Sequence, residues 1–168
     1  DTIGLAVDIF EKYNINYALL HCTNVFPTPD EAVRLGGMVQ LSEKFPSAVI
    51  GLSDHTVDNL SCLAATGLGA KILERHFTDR KSRPGPDISC SMDTNDLRSL
   101  IVDSARINKR VGGVKGLHLA EEVTAKFAYA SVVIDADIPQ GGLLTRENLW
   151  VKRPGTGDFL AKDYEKLI

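Results

Sequence analysis

Two histidines, His55 and His76, carry the strongest chemical signal in the sequence. Each closes an apolar run of the kind that forms a buried strand, and residues two apart along a strand share a face. Gly51, Ser53 and His55 make one such set; Ile72, Glu74 and His76 make another; Leu20, Cys22 and Asn24 make a third. Neutral imidazoles at the ends of successive strands can converge on one divalent ion, and a two-His site with open positions suits a Lewis acid that polarises a carbonyl. A single strand-end histidine more often just bonds a nearby carbonyl. Two at matching positions, beside Asp54, Glu74 and Asp87, bring the metal reading level with that alternative. Asn24 and Ser53 are uncharged groups on the same rim, suited to a phosphate or carboxylate oxygen, although either could equally cap a turn. Glu74 is costly in an interior unless paired. His21 is out of phase with Asn24 and is expected to face the helices. Arg34, Lys44, Arg98 and Arg106 read as solvated helix surface, and His118 receives no role.

The elements that must position these residues alternate. Apolar spacing predicts helices over 5–13, 30–45, 56–68 and 94–111, and continuous apolar runs predict strands over 17–23, 48–53 and 71–77. Strands without one-sided alternation belong to a parallel sheet covered by crossover helices. That order fits a doubly wound sheet or part of a (β/α)8 TIM barrel. Three strands alone would leave two edges open, and a closed barrel takes about 250 residues, so the expectation is an α/β chain holding the last three βα units of a barrel. Active sites of such barrels gather at the C-terminal ends of the strands. Gly112-Gly113 stops the last helix. Beyond it, Ala130–Ile134, a Gly turn over 138–142 and a helical turn capped by Thr145 suggest a small β-rich domain. The expected organisation is a partial barrel over 1–111, a linker over 112–126 and an incomplete small domain over 127–168.

Composition narrows the function classes. The chain has 168 residues, 43% hydrophobic and 24% charged, the balance of a globular protein rather than a disordered one. A formal net charge of −3 with scattered basic residues offers no footprint for nucleic acid. No apolar run approaches the roughly 18 residues that span a bilayer. Cys22, Cys62 and Cys90 match neither a zinc ribbon nor a disulfide framework, and read as reduced thiols of a cytoplasmic protein. The first residues carry no Met and no leader and read as the inside of a helix, as expected for a piece of something larger.

Three ordered stretches go further: Ala18–Pro29 (ALLHCTNVFPTP), Ile50–Thr56 (IGLSDHT) and Ile72–Thr78 (ILERHFT), the last followed by Arg83-Pro84-Gly85-Pro86-Asp87. With Asn148–Gly155 (NLWVKRPG), they closely resemble the sialic acid synthase (N-acetylneuraminate synthase) family in its bacterial form. The resemblance covers nearly the whole chain. It implies a TIM barrel followed by an antifreeze-protein-like (SAF) domain, with this chain holding barrel strands six to eight and most of the small domain. It also implies condensation of phosphoenolpyruvate with N-acetylmannosamine to give N-acetylneuraminate and phosphate. The metal would be a Mn2+-type ion, with Mg2+ or Co2+ as alternatives, held by the positions matching His55 and His76. The positions matching Asn24 and Ser53 would bind phosphoenolpyruvate, and those matching Asp87 and Phe127 would meet the sugar. Arg153, which sequence alone reads as surface, would reach from one subunit's small domain into the other subunit's barrel in a domain-swapped homodimer. Phe26 departs from the Tyr frequent at that sugar contact, leaving legionaminic or pseudaminic acid synthesis as alternatives. The family's first-strand Glu and its phosphoenolpyruvate-binding lysines would lie upstream of Asp1, so this chain alone is expected to be inactive. A reading of another class is a noncatalytic sugar-binding or assembly module built on the small domain.

Overall fold

The computed structural model describes residues 2–168, which fall into two compact units, 2–113 and 114–168. In the first unit the order is α1 (Thr2–Lys12), β1 (Ala18–Cys22), α2 (Asp30–Val33), α3 (Gly36–Lys44), β2 (Val49–Asp54), α4 (Leu60–Gly67), β3 (Ile72–Arg75) and α5 (Thr94–Asn108). The three strands form one parallel sheet in the order β1-β2-β3, with β1 and β3 at its edges. Cys22 stands opposite Ser53, and Ser53 opposite Glu74.

One face of this sheet carries the core. Ile50 and Leu52 of β2 pack with Met38 of α3, Cys62 and Ala65 of α4, Met92, and Leu100 of α5, with Leu19 and Leu73 lying against them. At about 25 cal/mol per Å2 of apolar surface, burial of the Ile, Leu and Met side chains among them stabilises by about 1.5–3 kcal/mol each. The same alternation sends Cys22, Ser53 and Glu74 to the opposite face. His21 lies on the helix side as expected: its Nε2 is 2.8 Å from the Val33 carbonyl, and a Cβ on Gly37 would strike its ring. Gly51 permits the close approach of β2 and β3, because a Cβ there would stand 2.5 Å from the Ile72 carbonyl oxygen.

The helices differ from the pattern-based bounds, the first by running over Thr2–Lys12 rather than 5–13. The helix expected over 30–45 is broken, because Arg34 adopts a left-handed conformation (φ 48°) between α2 and α3. The helix expected from Thr56 begins only at Leu60. Thr56 is instead buried, its N–H and hydroxyl both donating to the Asp54 carboxylate, at 3.1 and 2.9 Å. The last helix of the unit ends at Asn108, and its start is fixed by a capping box. The Asp93 carboxylate accepts from the N–H groups of Asn95 and Asp96, and the Asp96 carboxylate accepts from the Asp93 N–H.

In the second unit, β4 (Ser131–Ile134) pairs antiparallel with β5 (Leu149–Lys152). Helical segments flank the pair: a 3-10 turn Leu119–Glu121 running into α6 (Glu122–Ala128), and another Ala161–Asp163 running into α7 (Tyr164–Leu167). Residues 112–126, expected as a linker, hold the Leu119–Glu121 turn and the first part of α6, which runs on to Ala128. Gly141 supplies the positive φ of the expected turn, and the Thr145 hydroxyl accepts from the Glu147 N–H at 3.3 Å. Ser131 ties the sheet to the chain after β5: its hydroxyl donates to the Pro154 carbonyl and accepts from the Gly157 N–H, each at 2.8 Å.

Candidate active site

His55 follows β2 by one residue and His76 follows β3 by one residue, so adjacent parallel strands deliver both rings to the same sheet end. The ring centroids are 5.2 Å apart, nearly perpendicular at 83°. Phe26, on the loop after β1, lies against both, 4.2 Å from the His55 ring and 5.8 Å from the His76 ring. That loop is held in place from below. The Thr28 hydroxyl donates to the Val25 carbonyl at 2.7 Å, and the Thr28 N–H donates to the His55 carbonyl at 2.9 Å.

The surroundings of the His55 ring leave one of its nitrogens for chemistry. His55 Nδ1 is 3.2 Å from the Thr23 carbonyl, with the Cys22 thiol 3.9 Å away. A proton on Nδ1 facing that carbonyl leaves Nε2 with its lone pair, the arrangement by which a second partner orients a metal-binding imidazole. His76 Nδ1 lies 3.8 Å from Asp87 Oδ2, beyond hydrogen-bond distance, so the carboxylate stands beside the ring without fixing its tautomer. Asp87 is held in a left-handed conformation (φ 59°), and its carbonyl accepts from the Ser91 hydroxyl at 2.8 Å and the Cys90 thiol at 3.2 Å.

The residues that could hold a divalent ion are therefore His55 and His76. No group of three or more His, Cys, Asp or Glu side chains is placed for a metal among the described residues. The pair fits two ligand positions and leaves the others to water, substrate or further chain.

The structure gathers His55, His76, Phe26 and Asp87. Ser53 stands behind His55 on the strand face opposite the core, half-buried, and Asn24 is exposed on the β1 loop. Glu74 is also exposed, and among the described residues it makes no ion pair. Phe127, 71% exposed, and Arg153 belong to the second unit. A hollow of about 390 Å3 lined by Val33, Leu35, Leu60 and Ala64 lies between α2 and α4. It holds none of the strand-end residues, and the chemistry lies elsewhere.

Sequence reasoning missed what lies under the site. Asp54 and Arg75, each one residue before a histidine, meet on the helix side of the sheet with Nε 3.2 Å from Oδ2, their side chains 2% and 1% exposed. That Nε–H makes no directed hydrogen bond, so the contact is ionic. The two Nη atoms do the bonding. Nη1 donates to Asn59 Oδ1 and Nη2 to the Thr56 carbonyl, each at 2.6 Å, and Nη2 also reaches the Cys90 carbonyl at 3.4 Å. Removing one partner alone would strand a buried charge, a cost of about 3–5 kcal/mol. Charged residues on the core-facing side of two otherwise apolar strands are the signal that could have revealed the pair. Cys62 shares this pocket, and burial together with the Asp54 charge pushes its thiol up to about 12.

A parallel α/β sheet with two imidazoles, an aromatic ring and a carboxylate at its strand ends has the makings of an enzyme site. Residues 1–116 match the NeuB family model. The chain belongs to the NeuB family. It is 36% identical over 154 residues to an N,N'-diacetyllegionaminic acid synthase of Campylobacter jejuni, covering 91% of this chain and 46% of that protein. It is 34% identical over 159 residues to a pseudaminic acid synthase of the same species, covering 94% and 46%. Among solved structures it is similar to an N-acetylneuraminic acid (sialic acid) synthetase of Leptospira borgpetersenii crystallised with citrate. That match has a TM-score of 0.67 and 31% identity, over 73% of this chain and 43% of that one. The chain thus spans about half the length of the curated relatives it matches. These relatives are sugar-acid synthases, which places the chain in an enzyme family of carbohydrate biosynthesis. Among the described residues, no helix is long and apolar enough to cross a membrane.

Proposed function

We propose that the chain supplies the end of a (β/α)8 barrel and most of a following SAF domain in a cytoplasmic nonulosonic acid synthase. The observation that carries this reading is the His55–His76 pair, 5.2 Å apart at adjacent strand ends in a NeuB-family chain. The reaction joins C3 of phosphoenolpyruvate to the aldehyde carbon of open-chain N-acetylmannosamine, takes up water at C2, and releases phosphate to leave N-acetylneuraminate. His55 and His76 would hold a divalent ion of the Mn2+ type, which supplies Lewis acidity toward the sugar aldehyde. His55 is oriented by the Thr23 carbonyl, and Asp87 stands beside His76. Asn24 and Ser53 bind phosphoenolpyruvate oxygens. Asp87 and Phe127 meet the sugar, and Phe26 offers it a ring face without a hydroxyl. Similarity to legionaminic and pseudaminic acid synthases supports a second reading, in which the acceptor is one of their sugars and the chemistry is unchanged.

Arg153 completes the proposal. In a domain-swapped homodimer its guanidinium would reach the partner's barrel, hold the sugar's N-acetyl or hydroxyl groups and exclude water. Two tests decide the reading. The full-length product, assayed for phosphate release from phosphoenolpyruvate with a panel of N-acetylated hexoses, should show metal-dependent turnover that His55→Ala and His76→Ala abolish. Full activity in either variant refutes the role of the pair. Mixing Arg153→Ala with His76→Ala subunits should restore one intact site per mixed dimer; exchange of subunits without recovery refutes action in trans. The 168-residue chain alone should release no phosphate, because it lacks half the length of its relatives and catalysis needs all the groups fixed together.

A further inference from the structure

We infer that the buried Asp54–Arg75 pair is the positioning device for the two imidazoles, setting their separation from beneath the sheet end. This inference rests on the functional reading of His55 and His76 given above. Asp54 and Arg75 are paired in register across β2 and β3, and the next residue on each strand is the histidine. An ionic contact at 3.2 Å between the two preceding side chains fixes how the two strand ends lie as they deliver the rings to the other side.

Arg75 does more than pair. Its Nη2 holds the carbonyl of Thr56, the residue after His55, so His55 is bracketed by two groups of the network. The same nitrogen reaches the Cys90 carbonyl, in the turn whose first residue, Asp87, faces His76. Nη1 holds Asn59 in the loop leading to α4. One guanidinium thereby ties together the three segments that carry His55, His76 and Asp87. A planar fork can serve these directions at once where an ammonium cannot. The buried carboxylate is held in turn by Thr56 and by the Cys62 thiol, the latter at 3.6 Å. A pair this deep is a poor source of stability, since apolar residues of similar volume often do as well. Its place under both histidines gives it a different use.

The test uses full-length protein with Co2+ as the probe, because its visible absorption reports ligand geometry as well as occupancy. Arg75→Met should weaken Co2+ binding about ten- to a hundredfold and change the band shape, with Arg75→Lys falling between it and wild type. The double variant Asp54→Leu, Arg75→Met removes both charges and should recover the urea midpoint lost in Arg75→Met without recovering Co2+ affinity. Leu100→Ala, a core truncation outside the network, should lower the urea midpoint yet leave Co2+ affinity within about twofold. Should Arg75→Met not fold, Asn59→Ala removes one acceptor of the guanidinium, together with the Nδ2–H bond to the Asp96 carbonyl, and should weaken Co2+ about two- to fivefold. Affinity unchanged in whichever of these network variants folds, or lowered no further than in Leu100→Ala, overturns the proposal. Wild-type protein whose Co2+ binding is absent, or is indifferent to His55→Ala, marks instead the failure of the functional reading. Positioning is then decided in metal-free protein by the ring-to-ring nuclear Overhauser contacts among Phe26, His55 and His76. Arg75→Met, or Asn59→Ala in its place, should weaken or erase these contacts, and their full retention overturns the proposal.

Discussion

The ring of Phe26 stands 4.2 Å from that of His55, tilted by 51°, and closes one side of the space between the two histidines. It is 43% exposed, so it forms a wall of that space more than part of the core. Aromatic contacts of this kind contribute about 0.5–1.5 kcal/mol beyond burial. Phe26→Ala should therefore lower stability to urea by about 1 kcal/mol and, in full-length protein, reduce kcat/KM. Phe26→Tyr should keep the fold. A hydroxyl that bonds the acceptor is worth about 0.5–1.5 kcal/mol, so the KM of one sugar in the panel should fall about two- to tenfold while that of phosphoenolpyruvate stays put. No change with any sugar would show that Phe26 does not meet the acceptor.

The start of α5 should be sensitive to acid. The hydrogen bond and charge of Lys81, at 2.5 Å, together with the Asp93 N–H, hold Asp96 below its ordinary carboxylate range. A depressed folded-state value means that Asp96 stabilises the fold above its unfolded value near 3.8, and that this contribution is lost as pH falls through the folded value. Asp96→Asn should flatten the stability profile below about pH 4 and leave its shape near neutrality unchanged. Asp93→Ala, which removes the cap itself, should cost about 1 kcal/mol. Urea midpoints measured from pH 3 to 7 check both.

What the sequence made legible follows the range of the forces involved. The three strands were readable because each rests on a short apolar run, and Leu19, Ile50, Leu52 and Leu73 of those runs form or line the core. The convergence of His55 and His76 was readable because strand periodicity fixes which residues share a face. Helix bounds failed where one contact overrode periodicity. Arg34 turns left-handed between two helical stretches, and Thr56 leaves the helix pattern to bond Asp54. The Arg75 network was not readable in detail, because its acceptors at Thr56, Asn59 and Cys90 are brought together only by folding.

The three cysteines should separate by reactivity. Cys22 is exposed, whereas Cys62 and Cys90 are fully buried, with burial raising both thiols above their ordinary value. Since the thiolate is the reactive form, native protein should alkylate at Cys22 alone, with Cys62 and Cys90 labelled only after unfolding. A folded-state value raised from 9.0 to about 12 at Cys62 means that its contribution to stability is complete below pH 9 and is lost progressively as pH rises toward 12. Mass spectrometry of labelled peptides checks the order; native labelling of Cys62 at the rate of Cys22 would show that the core around Asp54 opens.

Gly51 and Gly4 should respond in opposite ways to the same added methyl. At Gly51 a Cβ would stand 2.5 Å from the Ile72 carbonyl oxygen and 2.9 Å from the Ile72 Cβ. Neither is the end of a flexible side chain, so β2 and β3 would have to separate where their register brings Ser53 opposite Glu74 and Asp54 opposite Arg75. Overpacking of this kind costs about 1–3 kcal/mol or more. Gly51→Ala should lower the urea midpoint and loosen the ring contacts between His55 and His76. At Gly4, inside α1, a Cβ meets nothing within 4 Å. There Ala lowers the entropy of the unfolded chain without strain, and Gly4→Ala should stabilise by about 0.5–1 kcal/mol. Equal and small effects at both positions would mean that the β2–β3 spacing is not held by Gly51, and that the sheet end carrying the histidines is set by the network beneath it alone.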